Sequence, residues 1–200
     1  TRFLEMIERE AENARKGIPG HIMAKMNSLC DTVIMQALYY ASSCGVKVEL
    51  VIRGICCLKT GIPGVSENIH VRSIVGDFLE HSRIFYFYNG GIEEFYMGSA
   101  DWMPRNLDRR VEIVFPVEDE KIKAQIMHVL ELELKDNVKA HILQPDGTYE
   151  KQDRRGKQPV NSQMEFCREA QELSGKKKKE QKENSRVFIP AEPLEDFQEE

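Results

Sequence analysis

The sequence lacks the features of a membrane-spanning protein, a disulfide-rich scaffold or a zinc domain. No uninterrupted apolar run approaches the roughly 20 residues that a membrane-spanning helix needs. The cysteines number five and show no CxxC spacing, which predicts free thiols in a reducing cytoplasm. These cysteines are Cys30, Cys44, Cys56, Cys57 and Cys167.

An excess of positive charge is also missing. The formal net charge is −5, which excludes a uniformly basic nucleic-acid binder but leaves room for a local basic pocket. The N-terminal stretch TRFLEMIEREAENARK is amphipathic and acidic, unlike a signal peptide. The sequence does not begin with methionine, and we therefore expect it to be a piece of a longer protein.

The chain of 200 residues, 41% of them hydrophobic, is long enough for one domain with a tail or for two small domains. We predict a compact domain over 1–150 and a polar C-terminal extension over 151–200. The extension is expected to form one short helix and then to be disordered from about Gly175. The lysine run at 176–179 is soon followed by glutamates, which favours a solvated tail over a site for an anionic polymer.

The periodicity of apolar residues predicts two helices and two strands before residue 53. The first helix covers 3–14, and the short segment HIMAK is a buried strand. Ser28 is predicted to cap the next helix, with Asp31 as its acidic capping-box partner and Gly45 at its end. The β-branched run VKVELVI is the following strand. Such a strand–helix–strand unit implies parallel strands covered by helices.

The rest of the compact part alternates strands with turns and ends in a helix and a last strand. Asn89-Gly90-Gly91 is predicted to join two strands as an antiparallel hairpin. Pro104 suits the first position of a short helix. Further strands are expected at 70–75, 83–89, 93–99, 109–117 and 139–143, with a helix over 118–137. These elements predict an α/β fold in which a mixed sheet has helices on both faces.

Arg53 and His81 are the first candidates for a phosphate site. Arg53 directly follows a strand, where open α/β sheets place their ligands, and its guanidinium is suited to phosphate. Gly54 would let a ligand approach closely. His81 could transfer a proton, attack phosphorus or donate to a phosphate oxygen. The alternatives are a salt-bridged surface arginine and a structural histidine.

A second motif lies near His81. His81-Ser82-Arg83 is followed by Gly98-Ser99-Ala100-Asp101, which resembles the HxK…GSxN signature of the phospholipase D-like superfamily. In that superfamily two such halves face each other across one phosphoryl-transfer site. Here Arg83 replaces lysine, Asp101 replaces asparagine, and the aspartate expected soon after the cation is missing. These departures argue against the standard hydrolytic mechanism.

Longer motifs identify a family. KMNSLCD, VIRGICCLKTGIPGVSENIHVRSIVG, FLEHSRIFYFYNGG and MGSADWMPRNLDRRVEIVFPV resemble the C-terminal part of the bacterial long-form polyphosphate kinases, over about residues 7–149. The resemblance implies a phospholipase D-like domain that helps transfer the terminal phosphate of ATP to polyphosphate, reversibly, through a phosphohistidine and with Mg²⁺. The phosphorylated histidine and most magnesium ligands belong to upstream domains, so no metal ligand is expected in this chain.

By the same resemblance, Arg53 and His81 match the two positions of this domain that contact ATP phosphates, and His81 assists the nucleophile. Possible secondary contacts, for which turn capping and internal ion pairs are the alternatives, are Lys25, Asn27, Arg83, Ser99, Asp101, Asn106 and Arg109. The implied partners are ATP or ADP, polyphosphate, the upstream domains of the same polypeptide and, in the full-length protein, further copies of it. The implied location is the cytoplasm or the cytoplasmic side of the inner membrane, with no nucleic acid bound.

Two other functions remain open from the sequence. One is half of a phospholipase D-like phosphodiesterase or nuclease, which would need two HxK halves and no ATP. The other is a non-catalytic module that binds polyphosphate.

Overall fold

The computed structural model describes residues 2–183, and side chains up to residue 175. Its helices are α1 Arg2–Arg15, α2 Thr32–Ser43, α3 Pro104–Asp108, α4 Glu120–Lys135 and α5 Ser162–Glu183. Its strands are β1 His21–Met26, β2 Lys47–Ile52, β3 Ile69–Ile74, β4 Ile84–Phe87, β5 Glu94–Gly98, β6 Val114–Val117, β7 Ala140–Leu143 and β8 Tyr149–Lys151. The first compact unit ends at Gln163, and the remainder of α5 belongs to the second.

The eight strands form one sheet in the order β6-β5-β4-β1-β2-β3-β7-β8. The central strands β1, β2 and β3 are parallel, and every other neighbouring pair is antiparallel. Parallel strands need long crossover connections, and α2 supplies the one between β1 and β2. The predicted hairpin between β4 and β5 is confirmed, with Asn89–Gly91 forming a 3-10 turn.

Strand β1 shows why both faces of the sheet carry helices. Side chains alternate along a strand, so Ile22 and Ala24 pack with α1 and α2, whereas Met23 packs with Ile126 and Leu130 of α4. On the α1 face, the rings of Phe3, Phe85 and Trp102 form a buried cluster with centroids 4.6–5.6 Å apart. The prediction of a mixed sheet with helices on both faces is therefore confirmed.

The cap of α2 was predicted wrongly. Asp31, not Ser28, is the N-cap, and its carboxylate accepts a hydrogen bond from the Ile34 N–H at 2.9 Å. The helix does not begin earlier, because Leu29 is extended: it forms parallel β-bridges with Cys56 and Trp102, and its N–H donates to the carbonyl of Ile55 at 2.8 Å. The backbone N–H groups of residues 29–31 thus form hydrogen bonds with two other loops, at Ile55 and Trp102, before the helix begins.

Two further elements differ in length from the prediction. Strand β6 begins at Val114 rather than at residue 109, because its partner β5 ends at Gly98, opposite Val114. Helix α5 extends past Gly175 to Glu183, which the high helix propensity of lysine, glutamate and glutamine favours. The remainder of the predicted disordered tail, residues 184–200, lies outside the described residues. Within the described part of the chain, no helix is both long and apolar enough to cross a membrane.

Candidate functional site

Several strands of different direction bring their polar ends to one edge of the sheet. Lys25, near the end of β1, is paired with Val51 near the end of β2 and with Ile84 at the start of β4. Ile84 is in turn paired with Met97 near the end of β5. The residues directly after β1, β2 and β5 and directly before β4 therefore share this edge, hereafter the candidate edge.

Arg53 lies at the candidate edge with a fixed backbone and a free side chain. Its N–H donates to the Met26 carbonyl at 3.3 Å, and its carbonyl accepts from Ser73 Oγ at 3.2 Å. Gly54 has no room for a Cβ, which would lie 2.8 Å from the Asn27 carbonyl oxygen. The half-buried guanidinium forms no hydrogen bond or ion pair with any residue that the structure describes. A rigidly mounted cation with five unused donors is suited to an anionic ligand.

His81, on the other side of β1, likewise has a fixed backbone and a side chain without a partner. Its carbonyl accepts a hydrogen bond from Arg83 Nη1 at 3.0 Å, which fixes its backbone. The residue is exposed, and its imidazole has no partner among the described residues. Both ring nitrogens are therefore open to a ligand.

Arg83 and Asp101, which stand in place of the lysine and the asparagine of the HxK…GSxN pattern, bind each other. Arg83 Nε and Nη2 donate to the Asp101 carboxylate at 3.2 and 3.3 Å. The same carboxylate accepts from the Asn27 N–H at 2.8 Å and from Asn27 Nδ2 at 3.3 Å. This bidentate pair neutralises both charges and ties the end of β1 to the start of β4 and the loop after β5. Asn27 Oδ1 is buried without a partner in the described chain and can accept one more hydrogen bond.

The side chain of Lys25 lies on the face of the sheet that α4 covers, where its charge is already paired. Its side chain is 2% exposed, and its ammonium lies 2.7 Å from Glu80 Oε2 and 3.2 Å from Glu133 Oε1. Burial raises the pKa of Glu133 to about 8, although the charge of Lys25 opposes the shift. Burial also acts on Glu80, but hydrogen bonds from Lys25 and Gln163 hold the pKa of that carboxyl below its ordinary value. One ammonium thus balances one carboxylate, and the second carboxyl is neutral at pH 7.

The remaining predicted contacts centre on a carboxylate that the sequence did not suggest. Ser99 Oγ donates to Glu112, and Asn106 Nδ2 donates to the same carboxylate at 2.5 Å. Ser99 Oγ also accepts from the Ile113 N–H at 3.1 Å. The hydrogen bond from Ser99 lowers the pKa of Glu112. Arg109 is exposed, with no side-chain partner in the described part of the chain.

The structure therefore gathers most of the predicted residues at the candidate edge and assigns them different tasks. Asn27, Arg83 and Asp101 hold the edge together, whereas Arg53 and His81 present unused polar groups. Among the residues that sequence reasoning missed, Glu133 had a signal, since it follows Ile126 and Leu130 at helical spacing on the buried face of α4. Gln163 had none, because nothing in its polar segment distinguishes it.

The described part of the chain offers no obvious metal site of its own. Among the described residues, no three His, Cys, Asp or Glu side chains are grouped so that they could hold a metal ion. Arg53 and His81 are donors toward anions, so they suit phosphate rather than a cation. The expectation that Mg²⁺ is bound mainly outside this chain stays a prediction.

The chain is similar to polyphosphate kinases along most of its length. The family profile described as polyphosphate kinase C-terminal domain 2 matches residues 1–163. The polyphosphate kinase of Pseudomonas aeruginosa PAO1 is 58% identical over 162 residues, which are 80% of this chain and 24% of that protein. Polyphosphate kinase 1 of Chlorobaculum tepidum is 56% identical over 167 residues, or 84% of this chain and 24% of that protein.

A solved structure gives the same result for the fold. The crystal structure of the polyphosphate kinase from Porphyromonas gingivalis superposes with a TM-score of 0.82 at 40% identity, covering 89% of this chain and 27% of that one. The match confirms the predicted α/β fold class. The chain thus spans about a quarter of the length of the relatives that it matches.

Proposed function

This chain belongs to the polyphosphate kinase family, and we propose that it forms one wall of a site that transfers phosphate between ATP and polyphosphate. In this proposal the chain binds phosphates of ATP, and a phosphohistidine supplied by an upstream domain of the same polypeptide carries the transferred group. The family membership supports the reaction class. The unpartnered side chains of Arg53 and His81 at one sheet edge support the assignment of the site.

The observation that carries the proposal is the position of these two groups on either side of β1. Neighbouring strands lie about 4.8 Å apart, so the axes of β2 and β4 are separated by about 10 Å. The backbones of Arg53 and His81 are both fixed by hydrogen bonds, while their side chains are free. Two donors mounted on strands at that spacing can contact different oxygens of one bound triphosphate.

We assign a different role to each group. Arg53 neutralises charge on the phosphoryl oxygens, since its guanidinium is permanently cationic. His81 donates a hydrogen bond or a proton to an oxygen of the group in transfer, while the upstream histidine forms and breaks the bond to phosphorus. Preorganised donors of this kind are commonly the largest catalytic contribution in phosphoryl transfer. Mg²⁺ would supply further charge neutralisation, but no residue described here is assigned to hold it.

A divided site predicts that the isolated 200 residues do not convert ATP to polyphosphate. The chain covers only 24% of its Pseudomonas aeruginosa relative and carries one half-motif, His81 to Asp101. We expect no turnover by the isolated chain in an ATP-to-polyphosphate assay in which the complete polypeptide is active. Sustained turnover by the isolated chain would show that the site is not divided.

Substitutions in the complete polypeptide test the two residues directly. Arg53→Ala and His81→Ala should each lower kcat by about 100-fold or more, as removal of one preorganised donor does. Arg154→Ala and His70→Ala are matched controls, because both residues are exposed and His70 is near the opposite end of its strand. Near-normal rates for Arg53→Ala or His81→Ala would reject that residue's assignment.

The same proteins separate the two alternative functions. Hydrolysis of a phosphodiester without ATP would indicate a phospholipase D-like phosphodiesterase. Polyphosphate binding that survives both substitutions, with unchanged catalysis in the complete polypeptide, would indicate a non-catalytic binding module.

A further inference from the structure

The loop that leads into His81 is held by a single polar side chain from a distant part of the chain. Gln163, at the start of α5, accepts hydrogen bonds at Oε1 from the N–H groups of Asp77 and Phe78, at 2.8 and 3.0 Å. Its Nε2 donates to the Phe78 carbonyl at 2.8 Å and to Glu80 Oε1 at 2.6 Å. Both ends of the amide are therefore fully used, and only glutamine offers both at this reach.

The Gln163 side chain is also closely packed against the loop that leads into His81. Gln163 is 3% exposed. A Cβ added at Gly76 would lie 2.2 Å from Gln163 Oε1, so the loop can approach the amide only because residue 76 is glycine. Apolar burial does not hold this loop, because the side chains of Phe78 and Leu79 are 56% and 70% exposed.

Gln163 is itself anchored independently of the loop. The N–H and Oγ of Ser162 both donate to Asp136 Oδ2 at 2.8 Å. Asp136 is fully buried, and its other oxygen accepts from the backbone N–H groups of residues 138–140 at 2.8–3.2 Å. The segment between α4 and β7 thus fixes the position of Gln163 through contacts that do not involve the loop.

The far end of the contact is Glu80, the residue before His81. Glu80 is hydrogen-bonded to Gln163 through Oε1 and to Lys25 Nζ through Oε2, at 2.6 and 2.7 Å. On the other side of the histidine, Arg83 binds the His81 carbonyl and Asp101. His81 therefore stands between two fixed points, one from Gln163 and Lys25 and one from Arg83.

We propose that Gln163 is a positioning residue for phosphoryl transfer, which sets the place of the His81 imidazole through its hydrogen bonds to residues 77, 78 and 80. The proposal rests on the proposed function, since it gives Gln163 a role only through His81. Misplacement of a catalytic group by about 1 Å can cost about 100-fold in rate, so a side chain outside the phosphate site can matter for catalysis.

The first test is Gln163→Ala in the complete polypeptide. We expect kcat for polyphosphate synthesis to fall by about 10-fold or more, with a smaller change in KM for ATP, because Arg53 is untouched. Gln158→Ala, an exposed glutamine of the same segment, is the control and should retain the normal rate. Should Gln163→Ala not fold, Gln163→Glu takes its place. The carboxylate keeps the two hydrogen bonds from Asp77 and Phe78 but cannot donate to Glu80, so the same loss is expected.

A double substitution distinguishes positioning from general damage. Gly76→Ala alone should lower kcat, because its methyl group displaces the Gln163 amide. In the Gln163→Ala background that amide is gone, so Gly76→Ala should cost little more. Losses that multiply in the double variant would overturn the proposal.

The His81→Ala background separates this proposal from the proposed function. There, Gln163→Ala should add less than about 2-fold, because a residue that acts through His81 has nothing left to position. Normal activity of His81→Ala would reject the role of His81. A large loss for His81→Ala together with a normal rate for folded Gln163→Ala would reject the role of Gln163 alone.

Discussion

Replacement of Glu133 by glutamine should change how the stability of this chain depends on pH. Glu133 is 1% exposed, lies 3.2 Å from Lys25 through Oε1, and has its second oxygen buried without a partner in the described chain. An unpartnered buried oxygen is less costly on a neutral acid than on a carboxylate. Burial, which the charge of Lys25 opposes and the charge of Glu80 reinforces, raises the pKa of Glu133 from 4.5 to about 8.

The sign of the effect follows from proton binding. Between pH 4.5 and about 8, the folded chain holds a proton on Glu133 that the unfolded chain has released. The free energy of unfolding therefore falls as pH rises through this window, by up to about 1.4 kcal/mol per pH unit, and levels off above it. From about pH 5.5 to about pH 7.5 this group alone should cost the folded state about 2 kcal/mol. Glutamine is neutral throughout, so Glu133→Gln should remove that contribution.

The measurement is urea unfolding of the wild-type chain and of Glu133→Gln, each at about pH 5.5 and at about pH 7.5. We expect Glu133→Gln to lose less stability than the wild type between the two, by about 2 kcal/mol. The comparison cancels every contribution that the two proteins share. Glu131→Gln, on the exposed side of the same helix, should behave like the wild type. Equal pH dependence in the wild type and Glu133→Gln would refute the assignment of a neutral, buried Glu133.

Two more pairs of substitutions test the N-terminal cap of α2 and the ion pair between Arg83 and Asp101. Asp31→Ala should cost about 1 kcal/mol in urea unfolding through loss of the α2 cap, whereas Ser28→Ala should cost only a few tenths; the reverse order would restore the cap predicted from the sequence. Asp101→Ala leaves the Arg83 guanidinium without its carboxylate and should cost about 3 kcal/mol. The cost should shrink when Arg83→Ala is added, and simple additivity of the two would show that the pair is not coupled.

Local patterns were sufficient for most of the fold. The unit from β1 to β2 followed from β-branched runs and from apolar residues at helical spacing, since each element buries one face against its neighbours. The hairpin at Asn89–Gly91 followed from its turn residues. The start of α2 did not, because contacts with distant loops hold Leu29 in an extended conformation. The carbonyl of Ile55, in a loop after β2, takes the N–H of Leu29. No pattern near Ser28 contains that information.

The same distinction between local patterns and long-range contacts applies to the candidate site. Arg53 and His81 could be proposed from the sequence because each follows or precedes a strand and matches a family motif. Glu80, Gln163 and Asp136 were missed because their importance lies in contacts between segments that are far apart in the sequence. A glutamine in a polar stretch looks like a solvated residue until the fold brings the Glu80 loop against it.

The contact between Arg83 and Asp101 requires both an arginine and a carboxylate. A lysine at position 83 would offer one compact charge, whereas arginine donates through two nitrogens to both oxygens of Asp101 and keeps a third for the His81 carbonyl. An asparagine at position 101 would leave that arginine as a buried cation without a counter-charge. The pair is therefore a fixed connection between β1, β4 and β5. Among the described residues of the candidate edge, Arg53 and His81 keep side chains without a hydrogen-bond partner, and Arg83→Lys, which keeps the charge but not the two-point contact, tests which of the two the site needs.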